Sequence, residues 1–257
     1  MARWTPFPHL GDYAFDADGL RKHWARLHAC DAEPLPQDPA VLQAWALLHQ
    51  GEFQKAAEAG LAAGGTGITV ANKATALYAN YLERKEKAKL ELLMEVAQRA
   101  AAQAAAEPGN PNAWYWQAYA LGRYMQGISV AKALAQGLGS RVKEALERAI
   151  RLQPRHADAH IALGAFHAEV IDKVGSLIAG MTYGARKDVG LKLFQEGLRL
   201  NPGCPIALVE YANGLVMLEG ESRMEEATRL YEQAAACQAA DALERLDVEL
   251  ARVELQE

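Results

Sequence analysis

Several features that mark common protein classes are scarce or missing in this chain. Its three cysteines, Cys30, Cys204 and Cys237, share no C-x-x-C spacing. This scarcity excludes a disulfide framework or a zinc knuckle and fits a reducing compartment. No stretch approaches the roughly 18 apolar residues of a membrane span, and no apolar run follows Arg3 as a signal peptide requires. We therefore expect a cytoplasmic protein without a membrane partner.

The chain also lacks an excess of positive charge and any alternation typical of strands. Its formal net charge is −5, and it has no basic stripe, so we expect no nucleic-acid partner. No segment alternates apolar and polar residues with a period of two, which predicts the absence of a sheet. Hydrophobic residues still make up 51% of the chain, with alanine the commonest of them, and this composition favours closely packed helices.

Familiar catalytic and cofactor motifs are absent as well. There is no G-x-S-x-G, no P-loop and no H-E-x-x-H, and the glycines at 137 and 139 lack the third glycine of a dinucleotide fingerprint. His156 and His160 share one face of a predicted helix and suggest a metal, but we interpret them, with His167, as packed histidines. The sequence thus predicts no catalysis, no metal and no cofactor, and His160, His167 and Glu169 are the group to inspect for an unfamiliar enzyme.

What the chain does have is a short pattern that recurs five times. Each copy places a small residue three positions before a larger one, at Ala44, Ala79, Ala118, Gly164 and Ala212, with successive spacings of 35, 39, 46 and 48 residues. A small side chain lets a neighbouring helix approach closely, and the larger one fills the space beside it. Such recurrence predicts a stacked helical array.

Helix signals divide the chain into three parts. Residues 1–38 form a leading segment and a helix, capped by Asp18, that packs on the first repeat; Asp38 and Pro39 then open the next helix. Residues 39–236 form the repeat array, and Ser140 is the expected N-cap of one of its helices. Residues 237–257 form a capping helix with Leu243, Leu246, Leu250 and Val253 on its apolar face and with Glu244, Asp247, Glu249 and Glu254 on its polar face.

The repeats resemble the tetratricopeptide repeat (TPR) family. The small residues match the family's first helix, and two second helices end in the family's manner, as Ala149–Pro154 (AIRLQP) and Gly197–Pro202 (GLRLNP). The resemblance implies an all-α superhelix, a TPR-like solenoid of about five helical hairpins with extended inter-helix inserts and a C-terminal capping helix.

In this family the first helix of each hairpin lines a concave groove that binds peptides or proteins. Carried over position by position, the resemblance implies a groove formed by seven residues of this chain. They are Trp45, Asn80, Arg84, Tyr115, Tyr119, Arg123 and Asn213. Aromatic rings supply contact area, while amide and guanidinium groups hold peptide groups or carboxylates. We therefore predict a non-catalytic scaffold that binds a protein or peptide.

The long spacings place two apolar, glycine-containing inserts at equivalent positions, residues 127–139 and 172–184. They are also loosely similar to long turns of TPR-type proteins that partner periplasmic solute transporters. Two alternatives remain open for them: they either lengthen the core as short helices, or they line a small-ligand pocket. The pocket would use Ile128, Leu134, Leu177, Met181 and Tyr183. Exposed apolar inserts and open array ends make a homo-oligomer plausible.

Overall fold

The computed structural model describes residues 3–256, and within them every regular element is a helix. The all-α fold predicted from the sequence is thereby confirmed. Contacts divide the chain into two compact units, and the division falls after Leu152, inside the predicted repeat array. Unit 1 contains the residues up to His28, Glu33–Leu152 and Ala240–Leu243. Unit 2 contains Ala29–Ala32, Gln153–Ala239 and the residues from Glu244 onward.

Unit 1 is a series of helical hairpins in which neighbouring helices pack from α2 through α6 to α8. Its helices are α1 (Ala17–Leu27), α2 (Pro39–His49), α3 (Phe53–Ala63), α4 (Gly67–Tyr81), α5 (Glu86–Ala106), α6 (Pro111–Gln126), α7 (Val130–Ala135) and α8 (Leu138–Leu152).

Unit 2 has α9 packed against both α11 and α12, and α12 packed against α13. Its helices are α9 (Ala157–Val174), α10 (Ser176–Tyr183), α11 (Lys187–Leu200), α12 (Pro205–Glu219), a 3-10 turn (Gly220–Arg223), α13 (Met224–Ala235) and α14 (Ala242–Glu254), whose first two residues belong to unit 1.

The helix starts show where local sequence signals succeed and where they fail. Asp38 caps α2 through the Ala40 N–H at 2.8 Å, as expected. The cap of α1 is Asp16, whose carboxylate accepts the Gly19 N–H at 2.7 Å, so the expected cap Asp18 is wrong by half a turn. Ser140 is not a cap either, because α8 begins at Leu138 and contains it.

The recurring small residues lie where helices pack. Ala44, Ala79, Ala118 and Ala212 are at most 1% exposed. A Cβ at the buried Gly164 would lie 3.1 Å from the ring of Phe194, which is itself fully buried. The repeat pattern in the sequence therefore reports close helix packing within each unit.

A chain of buried polar side chains crosses the core of unit 1. His49 Nδ1 lies 2.6 Å from an oxygen of Asp241, and His49 Nε2 lies 3.2 Å from His28 Nε2. All three residues are at most 3% exposed, and the ring of Trp24 stacks on His28 with centroids 4.0 Å apart. Through this chain the segment Ala240–Leu243 is joined to the first hairpin.

The contacts of His49 with Asp241 on one side and His28 on the other determine which ring nitrogens carry protons. When Asp241 is ionised and His49 is neutral, His49 donates from Nδ1 to the carboxylate. Its Nε2 is then an acceptor, so His28 must donate from its own Nε2. The position of each proton thus depends on all three side chains.

The predicted C-terminal capping helix forms as α14, but its buried face differs from the expected one. Val248 and Ala251 are buried, and Asp247, expected on the polar face, is 2% exposed. Val253, expected on the apolar face, is 52% exposed. Hydrophobicity alone did not identify the buried face of α14. Asp247 lies on the buried side of the helix, and Val253 lies on the exposed side.

Candidate functional site

Of the seven predicted groove residues, two that remain partly exposed lie together on one side of α6 in unit 1. Tyr119 and Arg123 are both half-buried, one helical turn apart. The Arg123 guanidinium carbon lies 5.4 Å from the centre of the Tyr119 ring, and Arg123 Nη1 donates to Gln126 Oε1 at 3.3 Å. We call Tyr119, Arg123 and Gln126 the α6 face.

Packing holds this face in place from beneath. The Tyr119 ring meets the buried Trp116 edge-on, with centroids 5.1 Å apart. The neighbouring helix α4 packs against α6 and carries Asn80, half-buried in its last turn. Arg84, expected on that helix, is exposed in the link that follows it, because α4 ends at Tyr81.

Two of the predicted groove residues belong to the core. Trp45 is fully buried, with its ring against those of Trp24 and His28 and with Lys73 Nζ 5.5 Å from its centre. Tyr115 is 5% exposed. The prediction that these rings contact a partner does not fit their burial, because the sequence indicated the helices that carry them but not which other side chains cover them.

The last predicted groove residue, Asn213, lies in unit 2 and is engaged there. Its side-chain oxygen accepts a hydrogen bond from the hydroxyl of Tyr231. Burial, followed by the charges of Glu254 and Glu210, raises the pKa of Tyr231 to about 12, so the phenol remains a donor at neutral pH. This bond links α12 to α13 within unit 2.

The two inserts form the short helices α7 and α10, one in each unit. Ile128 and Tyr183 are half-buried, and the Tyr183 ring meets Phe166 edge-on at 6.0 Å. Leu134, Leu177 and Met181 are 46%, 76% and 81% exposed. Most of the proposed pocket side chains therefore face solvent rather than filling the core of their unit.

The histidines of α9 serve local packing. His156 caps the helix by accepting the Ala159 N–H at 3.2 Å, and His160 Nε2 lies 3.0 Å from the Pro154 carbonyl oxygen. His167 Nδ1 accepts the backbone N–H of Arg186 at 2.9 Å, where α11 begins. Among residues 3–256 no group of three His, Cys, Asp or Glu side chains is arranged to hold a metal.

Sequence reasoning missed one surface. Two clefts, of about 520 and 430 Å³, lie between the leading residues and the turn that joins α2 to α3, with Glu52 in both. Aromatic residues and prolines at the start of the chain were the available signal, but a stretch without helical periodicity does not indicate its own docking position.

Comparisons with known proteins support the fold and give one partial family match. The model of the family described as "RMD1-3: Regulator of microtubule dynamics protein 1-3" matches residues 66–186, which is 121 of the 257 residues. A solved structure of a thermophilic TPR protein from Thermus thermophilus is similar with a TM-score of 0.56 at 15% identity, over 83% of this chain and 97% of that one. None of the curated proteins matches.

The structural likeness confirms a TPR-like helical-repeat fold for this chain. The looser likeness to partners of periplasmic solute transporters finds no support in these comparisons. The family match spans α4 to α10 and so contains Asn80, the α6 face and both inserts. Within residues 3–256, no helix combines the length and apolarity needed to cross a bilayer.

Proposed function

We propose that this chain is a non-catalytic scaffold that binds a protein or peptide partner through the α6 face, with Asn80 beside it on α4. The observation that carries the proposal is the guanidinium of Arg123 held 5.4 Å from the centre of the half-exposed Tyr119 ring. An aromatic ring and an arginine on a rigid helix form a typical centre of a protein interface. The TPR-like fold supports a scaffold rather than an enzyme.

The chemistry of the α6 face suits the peptide backbone and carboxylates. Arg123 offers planar donors that pair with a carboxylate or a carbonyl group, and the Tyr119 ring offers flat apolar area. Because Trp116 and the helix already fix these side chains, little ordering is needed when a partner arrives. We further propose a cytoplasmic location, which the acidic net charge and scattered cysteines support.

The substitution Tyr119→Ala is expected to weaken partner binding by about tenfold or more, the usual effect of removing a central aromatic contact. The measurement is quantitative retention of proteins from an extract of the source cells on immobilised protein, compared with the wild type. Tyr124→Ala is the matched control, because Tyr124 is another half-buried tyrosine of α6, about 140° around the helix from Tyr119.

Binding unchanged in Tyr119→Ala, or reduced equally in both variants, would contradict the proposal. Circular dichroism and thermal unfolding of both variants check that the helices persist. Arg123→Ala tests the same face by a second route that leaves the Tyr119 ring in place.

The family match favours microtubules as a second, more specific candidate partner, since the matched proteins are described as regulators of microtubule dynamics. This proposal predicts that the wild-type chain sediments with assembled microtubules and that Arg123→Ala reduces the sedimented fraction. A chain that stays in the supernatant at all microtubule concentrations would exclude it and would leave the general scaffold intact.

A further inference from the structure

The leading segment, residues 3–15, lies along the first hairpins of unit 1 as an irregular chain with a turn at residues 8–11. Its backbone is held by side chains of the hairpins. The Trp4 N–H donates to Gln54 Oε1 at 2.9 Å, and the Thr5 N–H donates to the Tyr78 hydroxyl at 3.3 Å. Side chains that bind main-chain amides of an extended segment are the means by which grooves recognise peptides.

Further contacts orient both of these receptors. Gln54 Nε2 donates to Glu58 at 3.0 Å, which turns the amide oxygen of Gln54 toward Trp4. The Tyr78 hydroxyl donates to Glu83 Oε2 at 3.0 Å, which leaves its lone pairs for Thr5. The two acceptors are therefore arranged before a peptide amide arrives, and this lowers the ordering cost of binding.

Trp4 and Phe7 anchor the first part of the segment, and Phe15 at its far end meets the His49 ring edge-on, with centroids 5.8 Å apart. The Trp4 ring stacks on the Tyr78 ring, with centroids 4.2 Å apart and planes 11° apart. Phe7 is 2% exposed and meets Phe53 edge-on. A Cβ at Gly51 would lie only 2.3 Å from Phe7 Cδ1, so the absence of a side chain there makes room for the Phe7 ring.

The segment fills this groove incompletely and through few deep contacts. Phe7 is its single buried side chain, whereas Trp4 is half-buried and Thr5 and Pro6 are exposed. The cleft of about 430 Å³ remains beside residues 3–7. Few buried side chains are a mark of a segment that opens at low free-energy cost.

We infer that the surface of α2–α4 around Gly51, Gln54 and Tyr78 is a peptide-binding groove occupied in cis by the leading segment. Its partner is an extended peptide of another protein with the same chemistry: two aromatic side chains three residues apart, with a proline between them as at Trp4-Thr5-Pro6-Phe7. Proline limits the conformations that the peptide must lose on binding. This groove uses no residue of the α6 face, so the inference is independent of the proposed function.

The test uses the full chain with Trp4→Ala and a fluorescent peptide of residues 3–15 followed by fluorescence anisotropy. In the wild type the tethered segment competes at a high effective concentration. Loss of the Trp4 stack weakens that competitor, so we expect the peptide to bind Trp4→Ala about tenfold more tightly than the wild type. A peptide of the same length and charge with alanine in place of Trp4 and Phe7 is expected not to bind.

A second substitution tests whether the peptide occupies the proposed groove. Gln54→Ala in the Trp4→Ala chain is expected to weaken peptide binding several-fold, whereas Lys87→Ala, an exposed change on α5, leaves it unchanged. In the wild-type chain, millimolar peptide is expected to accelerate hydrogen exchange at the Trp4 and Thr5 amides, because the tethered segment is displaced. This measurement does not depend on the folding of any variant.

Several results would overturn the inference. One is a folded Trp4→Ala chain that fails to bind the peptide while exchange in the wild type stays unchanged, which would make the segment a permanent part of the fold. Another is peptide binding to the Trp4→Ala chain that stays unchanged when Gln54→Ala is added. If the wild-type chain forms a dimer that Trp4→Ala dissociates, the groove binds the leading segment of a second copy. That result would also overturn the inference that the groove binds a peptide of another protein.

Discussion

Asp241→Ala is expected to lower the free energy of unfolding of unit 1 by about 3 kcal/mol, the upper end of the usual loss when a buried polar group is left without its hydrogen-bond partner. His49 Nδ1 would lose the acceptor 2.6 Å away, and His49 is fully buried, so water cannot replace it. His28 and His49 would also lose the order of protons that lets one donate to the other across 3.2 Å. The bond between the Ala240–Leu243 segment and the first hairpin would be removed.

Tryptophan fluorescence is the measurement suited to this prediction. All five tryptophans, Trp4, Trp24, Trp45, Trp114 and Trp116, belong to unit 1. The midpoint of urea unfolding followed by this signal is expected to fall in Asp241→Ala. Asp241→Asn keeps an oxygen acceptor for His49, so its midpoint is expected to fall less than that of Asp241→Ala. A midpoint equal to that of the wild type in Asp241→Ala would show that the buried chain of polar groups does not stabilise unit 1.

Gly60→Ala is expected to lower the free energy of unfolding of unit 1 by about 3 kcal/mol, at the upper end of the usual cost of overpacking. A Cβ at Gly60 would lie 2.5 Å from the carbonyl oxygen of Gly67 and 2.9 Å from the backbone nitrogen of Ala71. Both atoms belong to the backbone of α4, so no side chain can turn aside, and the hairpin α3–α4 would have to separate. The same urea titration measures this loss.

Gly122→Ala is the matched control for this prediction. Gly122 is also a helical glycine, on α6, but a Cβ there would meet no atom within 4 Å. The substitution is expected to raise the free energy of unfolding by roughly 0.5–1 kcal/mol, because alanine favours the helix. If both variants lost equal stability, backbone contact at Gly60 would not be the cause.

The sequence predicted the fold because its signals are local and repeated. The buried alanines at 44, 79, 118 and 212 recur at helix contacts, and Asp38-Pro39 and the Pro111 region mark helix starts in the usual way. Of the predicted groove, Tyr119 and Arg123 remain half-buried on one face of α6, because one helical turn separates them whatever surrounds the helix.

The remaining features depend on contacts between distant parts of the chain. The predicted groove residue Trp45 is buried beneath His28 and Trp24, and the Asp241–His49 contact joins residues 192 positions apart. The leading segment docks through Gln54 and Tyr78, 50 and 73 residues away from its amides. No periodicity encodes such pairs, so the sequence indicated the helices and left these contacts undetermined.

The most direct test of the scaffold proposal is photocrosslinking from the α6 face in an extract of the source cells. A photoreactive phenylalanine derivative replaces Tyr119 in one chain and Tyr124 in another, so that two positions of the same helix are compared. The proposal predicts a discrete protein adduct from position 119 that position 124 does not give. Equal adducts from both positions, or none from position 119, would contradict partner binding through this face.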